Sequence, residues 1–114
     1  MGNTIKIVSG DIEMTADMND CETAQKIREV LPIESSAKRW GAEVYFDIPV
    51  DMPEQDAVPE VPSGAIAFWP QGNCFCIFFG QTPYSPVNVL GNVHGDANEF
   101  DKVQDGDTVR IEKA

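Results

Sequence analysis

The sequence predicts a mainly β protein, a closed β-barrel with one or two capping helices, and three observations carry that expectation. Residues 74–79, CFCIFF, are apolar at six consecutive positions, the pattern of a strand buried on both faces and not of one lying on a solvated sheet. About seven short apolar or alternating runs are set apart by Gly, Pro, Asn and Asp turn signals along the chain. Only one segment has apolar residues at helical spacing together with recognisable caps. At 114 residues the chain reads as a single domain, 1–114, large enough to bury a core without metals or disulfides.

In chain order, 4–8 and 11–16 read as strands joined at Ser9 and Gly10, with Ile5, Ile7, Ile12 and Met14 available for burial. The helix follows. Asn19 is its expected cap, Glu22 the capping-box partner, and Cys21, Ala24, Ile27 and Leu31 its apolar face, with Pro32 ending it. Glu22, Lys26 and Glu29 fall on the other face, so the helix is expected to cover one barrel opening with that side in solvent. A polar link with Ser35, Ser36, Lys38 and Arg39 leads to a strand in which Glu43, Tyr45 and Asp47 alternate with Val44, Phe46 and Ile48. Read as exposed, this strand offers an edge for a second chain.

Residues 49–62, with four prolines and four carboxylates, exclude a helix or a central strand. A loop this long in a compact domain is either a lid or a passive excursion, and a partly ordered flap beside the site is the expectation. Residues 64–83 hold four of the six Phe, one of the two Trp and two of the three Cys; a strand at 65–69, a turn through Pro70, Gln71, Gly72 and Asn73, and a strand at 74–79 are expected there. Alternation puts Cys74, Cys76 and Phe78 on one face and Phe75, Ile77 and Phe79 on the barrel side. A strand at 87–93, a short helical turn within 95–102 and a closing strand at 108–112 complete the reading.

Charge and cysteine usage narrow the functions. Eight Lys and Arg against nineteen Asp and Glu give a formal net charge of −11, a surface that repels nucleic acid and anionic membranes. No stretch approaches the roughly 18 apolar residues of a membrane span, and the N-terminal MGNTIKIVSG lacks a basic segment followed by an apolar one. Lys6 stands where an acylation signal needs Ser or Thr. Cys74 and Cys76, two apart on one strand, cannot join each other without distortion, so free thiols in a reducing cytosol are expected. With one His, His94, and no second Cys pair, neither a metal site nor a cofactor is expected.

Specific residues carry a family likeness. Trp40, Gly41, Glu43, Tyr45 and Phe46, then Phe68, Trp69, Pro70 and Gly72, then Phe78, Phe79, Gly80, Thr82 and Pro83, and finally Val87, Asn88, Val89 and Gly91 resemble a family of small prokaryotic cyclophilin-like proteins, most of unassigned function. The likeness spans nearly the whole chain. It implies a closed barrel with two capping helices and a surface groove that, in cyclophilins, binds an X-Pro peptide. Cyclophilins speed rotation about that bond, whose barrier is about 18–20 kcal/mol, by holding the proline ring in an apolar pocket and aiming an Arg at the twisting amide.

In this chain the position of that Arg falls on Phe46 or Asp47, and the nearest Arg is Arg39. The Gln-Phe-Phe-Ile segment of cyclophilins maps on Cys74, Phe75, Cys76 and Ile77, so Cys74 replaces an amide donor and Cys76 an aromatic floor. Tyr84 stands where cyclophilins have a Trp, and Val87 is nearest to their His. The expectation is therefore a domain that binds a peptide or small apolar ligand in a surface groove, through Glu43, Tyr45, Phe68, Trp69, Gln71, Cys76, Phe78 and Tyr84. A peptidyl-prolyl isomerase with Arg39 swung onto the groove is the alternative, and thiol chemistry at Cys76 a third.

Overall fold

The computed structural model describes residues 3–80, 83 and 85–114. Its elements are β1 (Thr4–Ser9), β2 (Ile12–Met18), α1 (Glu22–Glu29), β3 (Ile33–Ser36), β4 (Lys38–Arg39), β5 (Glu43–Asp47), β6 (Ala65–Trp69), β7 (Cys74–Phe78), β8 (Asn88–Val93), a 3-10 helix Ala97–Lys102, and β9 (Thr108–Lys113). All strand pairings are antiparallel, and the order across the sheet is β3-β9-β1-β2-β8-β6-β7-β5-β4.

The two ends of that order are neighbours in the chain. Only Ala37 separates β3 from β4; its amide donates to Asp107 O at 2.7 Å and its carbonyl accepts from Gly106 N at 2.8 Å. One bent segment thus pairs with β9 before Ala37 and with β5 after it, which curls the sheet into a nearly closed barrel. Residues 35–36 and 38–39 are accordingly strand and not the expected polar link. Ile33 and Ala37 point inward between exposed Glu34, Ser36 and Lys38, too few apolar positions to announce a strand. β5, expected as an exposed edge, lies between β7 and β4.

The barrel interior is filled by Ile5, Ile7, Val44, Phe46, Ile66, Phe68, Phe75, Ile77, Leu90 and Ile111, all fully buried, with Phe46 and Phe75 stacked at 5.3 Å. The helix covers this core with Thr23, Ala24 and Ile27. Its cap is Cys21, whose Sγ accepts from Ala24 N at 3.4 Å. Asn19, the expected cap, instead accepts from Cys21 N at 3.2 Å and donates to Val89 O at 2.8 Å, tying the helix entry to β8.

Segment 49–62 is a packed strap. Val50 and Met52 enter the core, and the fully buried Asn88 amide donates to Pro53 O and Thr23 Oγ1 while accepting from Gln55 N. Gln55 also bonds Thr23 and Glu22 of the helix, and Val58 pairs with Val87. The expected partly ordered flap is thus tied down along 50–58: prolines bar it from the sheet, while Val50 and Met52 are buried in the core, Gln55 is bonded to Asn88 and the helix, and Val58 is paired with Val87.

Candidate functional site

Outside the barrel wall lies a second, smaller apolar cluster: Ala67, Cys74, Cys76, Phe78 and Val87, with Tyr45, Val61 and Trp69 packed on it. It arises from alternation. In the β5/β7 register Glu43 faces Phe78, Tyr45 faces Cys76 and Asp47 faces Cys74, while β6 adds Ala67 beside Cys76 and Trp69 beside Cys74. Over this cluster opens a pocket of about 210 Å³, lined by Trp40, Glu43, Tyr45, Trp69, Cys76, Pro83 and Val87.

Its walls are held in place from the turns. Trp40 sits in the β4–β5 turn, its amide donating to Glu43 O at 3.0 Å, and is 43% exposed. The Trp69 ring lies on Gly72, where a Cβ would come within 2.6 Å of it, and its Nε1 donates to Ser85 Oγ at 2.5 Å. That indole is fixed by both face and edge.

Glu43 is the polar feature of the floor. It is 6% exposed, and burial pushes its carboxyl from 4.5 up to about 7, an effect that a hydrogen bond with the Cys76 thiol partly offsets. Among the described lining residues it is the one carboxyl, and no Lys, Arg or His joins it. Just outside, Lys38 Nζ lies 3.6 Å from Asp47 Oδ2 and 6.0 Å from the Tyr45 ring centroid.

Of the eight residues expected to form the site, the structure brings Glu43, Tyr45, Trp69 and Cys76 together around the pocket. Phe68 is not with them: it shares the inward face of β6 with Ile66 and belongs to the barrel core. Gln71 is exposed on the β6–β7 turn, past the end of strand alternation, and does not line the pocket. Phe78 belongs to the outer cluster but is fully buried beneath it, and Tyr84 lies outside the described residues. Trp40, Pro83 and Val87 were not anticipated as lining. Val87 had a signal, as the residue nearest to the cyclophilin His; Trp40 occupies a turn, where alternation assigns no face.

Arg39 does not swing onto the groove. Its guanidinium donates to the carbonyls of Asp101, Val103 and Gly41 and to Asp101 Oδ1, at 2.8–3.1 Å, and stacks 5.1 Å from the Phe79 ring centroid. The thiols are equally unsuited to chemistry. Burial, then the neighbouring Asp47 carboxylate, pushes Cys74 up to about 12, and burial followed by the Glu43 charge raises Cys76 well above its ordinary value. Iodoacetamide on the native protein is expected to label the half-buried Cys21 first, leaving Cys74 and Cys76 unmodified until unfolding. Mass mapping showing early Cys76 labelling would contradict this.

The antiparallel barrel, the helix over one opening and the outer-wall pocket together describe a cyclophilin-type domain. The chain belongs to the cyclophilin-like family, whose model matches residues 3–112. It is similar to a hypothetical protein from Archaeoglobus fulgidus whose solution structure superposes with a TM-score of 0.84 at 30% identity, covering 99% of this chain and 95% of that one. It shares its fold with McbB, solved in complex with tryptophan, at a TM-score of 0.80 and 18% identity; the match covers 96% of this chain but 44% of McbB. No curated protein matches the sequence. Among the described residues no helix is long and apolar enough to cross a membrane, and no group of His, Cys, Asp and Glu is arranged to hold a metal ion.

Proposed function

We propose that this protein is a ligand-binding member of the cyclophilin-like family and that the Trp40–Tyr45–Trp69 pocket takes a small, largely apolar ligand. The observation that carries this reading is a concave aromatic site of about 210 Å³ with a single buried carboxyl at its floor, the combination of apolar walls and sparse, placed polar groups usual for small-molecule sites. The volume is below the ~300 Å³ at which drug-sized sites begin, so a compact ligand fits better than a long peptide. Trp69, already fixed by Gly72 and Ser85, costs little further ordering on binding. Prolyl isomerisation has less support: Arg39 is committed elsewhere, and the described pocket lining holds a carboxyl and no Lys, Arg or His.

An amide and indole NH shift titration with small aromatic compounds, aliphatic compounds and proline-containing peptides tests this. The Trp40 and Trp69 indole signals are expected to move together, and Trp69→Ala to weaken binding about tenfold or more. Indoles that stay still at millimolar concentrations of every compound would remove the proposal.

A further inference from the structure

Resting on that ligand-site reading, we infer that the pocket selects a small organic cation, a protonated amine or methylated ammonium carrying an apolar body. Three aromatic side chains, Trp40, Tyr45 and Trp69, line one cavity with the Glu43 carboxyl. Aromatic faces attract a cation through their ring quadrupole, most strongly where water is excluded. A carboxylate in the same cavity supplies the opposite charge. No Lys, Arg or His among the described lining residues competes for it.

Two further observations point the same way. Lys38 Nζ, 6.0 Å from the Tyr45 ring centroid, has its charge met by Asp47 at 3.6 Å, which leaves the Glu43 carboxyl for a ligand. The formal net charge of −11 draws cations towards the protein and repels anions. A neutral apolar ligand leaves Glu43 buried without compensation and favours its protonated form. A cation compensates the charge where it sits, and the carboxyl gives up its proton as the ligand enters.

The affinity for a cation therefore rises with pH through neutrality. The other titratable or charged groups near Glu43 among the described residues are Tyr45 and Asp47 of β5, Cys76 and Cys74 of β7, and Lys38 of β4. Both thiols are raised far above neutrality, and Lys38 is paired with Asp47, so Glu43 is the group that titrates in this window.

Calorimetric titration of the intact protein with benzyltrimethylammonium, benzylammonium and benzyl alcohol at pH 6 and pH 8 tests the inference. At pH 8 both cations are expected to bind about tenfold or more tighter than the alcohol, and the preference to shrink at pH 6 and in Glu43→Gln. The wild-type pH comparison stands even if that variant folds poorly. Equal binding of alcohol and cations overturns the cation inference while leaving the ligand site in place. No binding of any of the three overturns both. Cation binding that survives unchanged in Trp69→Ala belongs to the acidic surface and also overturns it.

Discussion

Replacing Glu43 with glutamine is expected to stabilise the protein at pH 8 by on the order of 2–3 kcal/mol while changing little at pH 4. The folded-state carboxyl is raised from 4.5 to about 7 by burial. Its protonated form is the one the fold prefers, so the stability present below pH 4.5 is lost as the pH climbs towards 7 and beyond. The lower figure allows for water reaching the carboxyl through the pocket. Glutamine is nearly the same shape and never ionises, so the variant loses this dependence. Asp17, lowered chiefly by its His94 hydrogen bond, and Glu112, lowered chiefly by Arg110, act with the opposite sign, stabilising above their ordinary values and fading under acid. Urea unfolding of both proteins from pH 5 to 8 separates the windows. Parallel wild-type and variant curves across that range would refute the assignment.

The second large effect is expected at Gly91, on the barrel wall between β2 and β6. With φ at +154°, a Cβ there would sit 1.8 Å from Asp17 O and 3.1 Å from Met18 Cα. Those are backbone atoms of a paired strand, so relief requires β2 and β8 to separate. The same place holds the irregular β6–β8 register between Ile66 and Ala67, a local departure from the regular ladder. Gly91→Ala is expected to cost on the order of 3 kcal/mol or more. Gly10→Ala is the control. There φ is +58° and a Cβ meets nothing within 4 Å, so the cost is expected at about 1–2 kcal/mol. Equal losses in the two variants, measured by denaturant unfolding, would show that close approach is not what Gly91 serves.

Much of the wall was legible in the sequence. Alternation along β7 alone divides Phe75 and Ile77 from Cys74, Cys76 and Phe78, and the two clusters follow that division. The same rule applied to β6 separates Phe68 from Trp69; the aromatic density of 64–83 obscured it. Other features depend on partners far along the chain. The fate of Arg39 rests on the carbonyls of Asp101 and Val103, more than sixty residues away, and no local pattern announces them. The strap is held by Asn88, thirty-three residues beyond Gln55. Trp40 reaches the pocket from a turn and Pro83 from outside any strand, where side-chain direction is set by tertiary packing and not by period.

The bend at Ala37 has a consequence for recognition. Many peptide-binding domains capture an extended ligand by adding it as a further strand, so that main-chain hydrogen bonds supply affinity with little regard to sequence. Here the segment that would offer the free margin spends one side on β9 and, after Ala37, the other on β5. Among the described residues β3 and β4 stay the outer strands of the order, each short and paired on one side. On the proposed ligand-site reading, discrimination would rest on the shape and charge a ligand places among Trp40, Tyr45, Trp69 and Glu43.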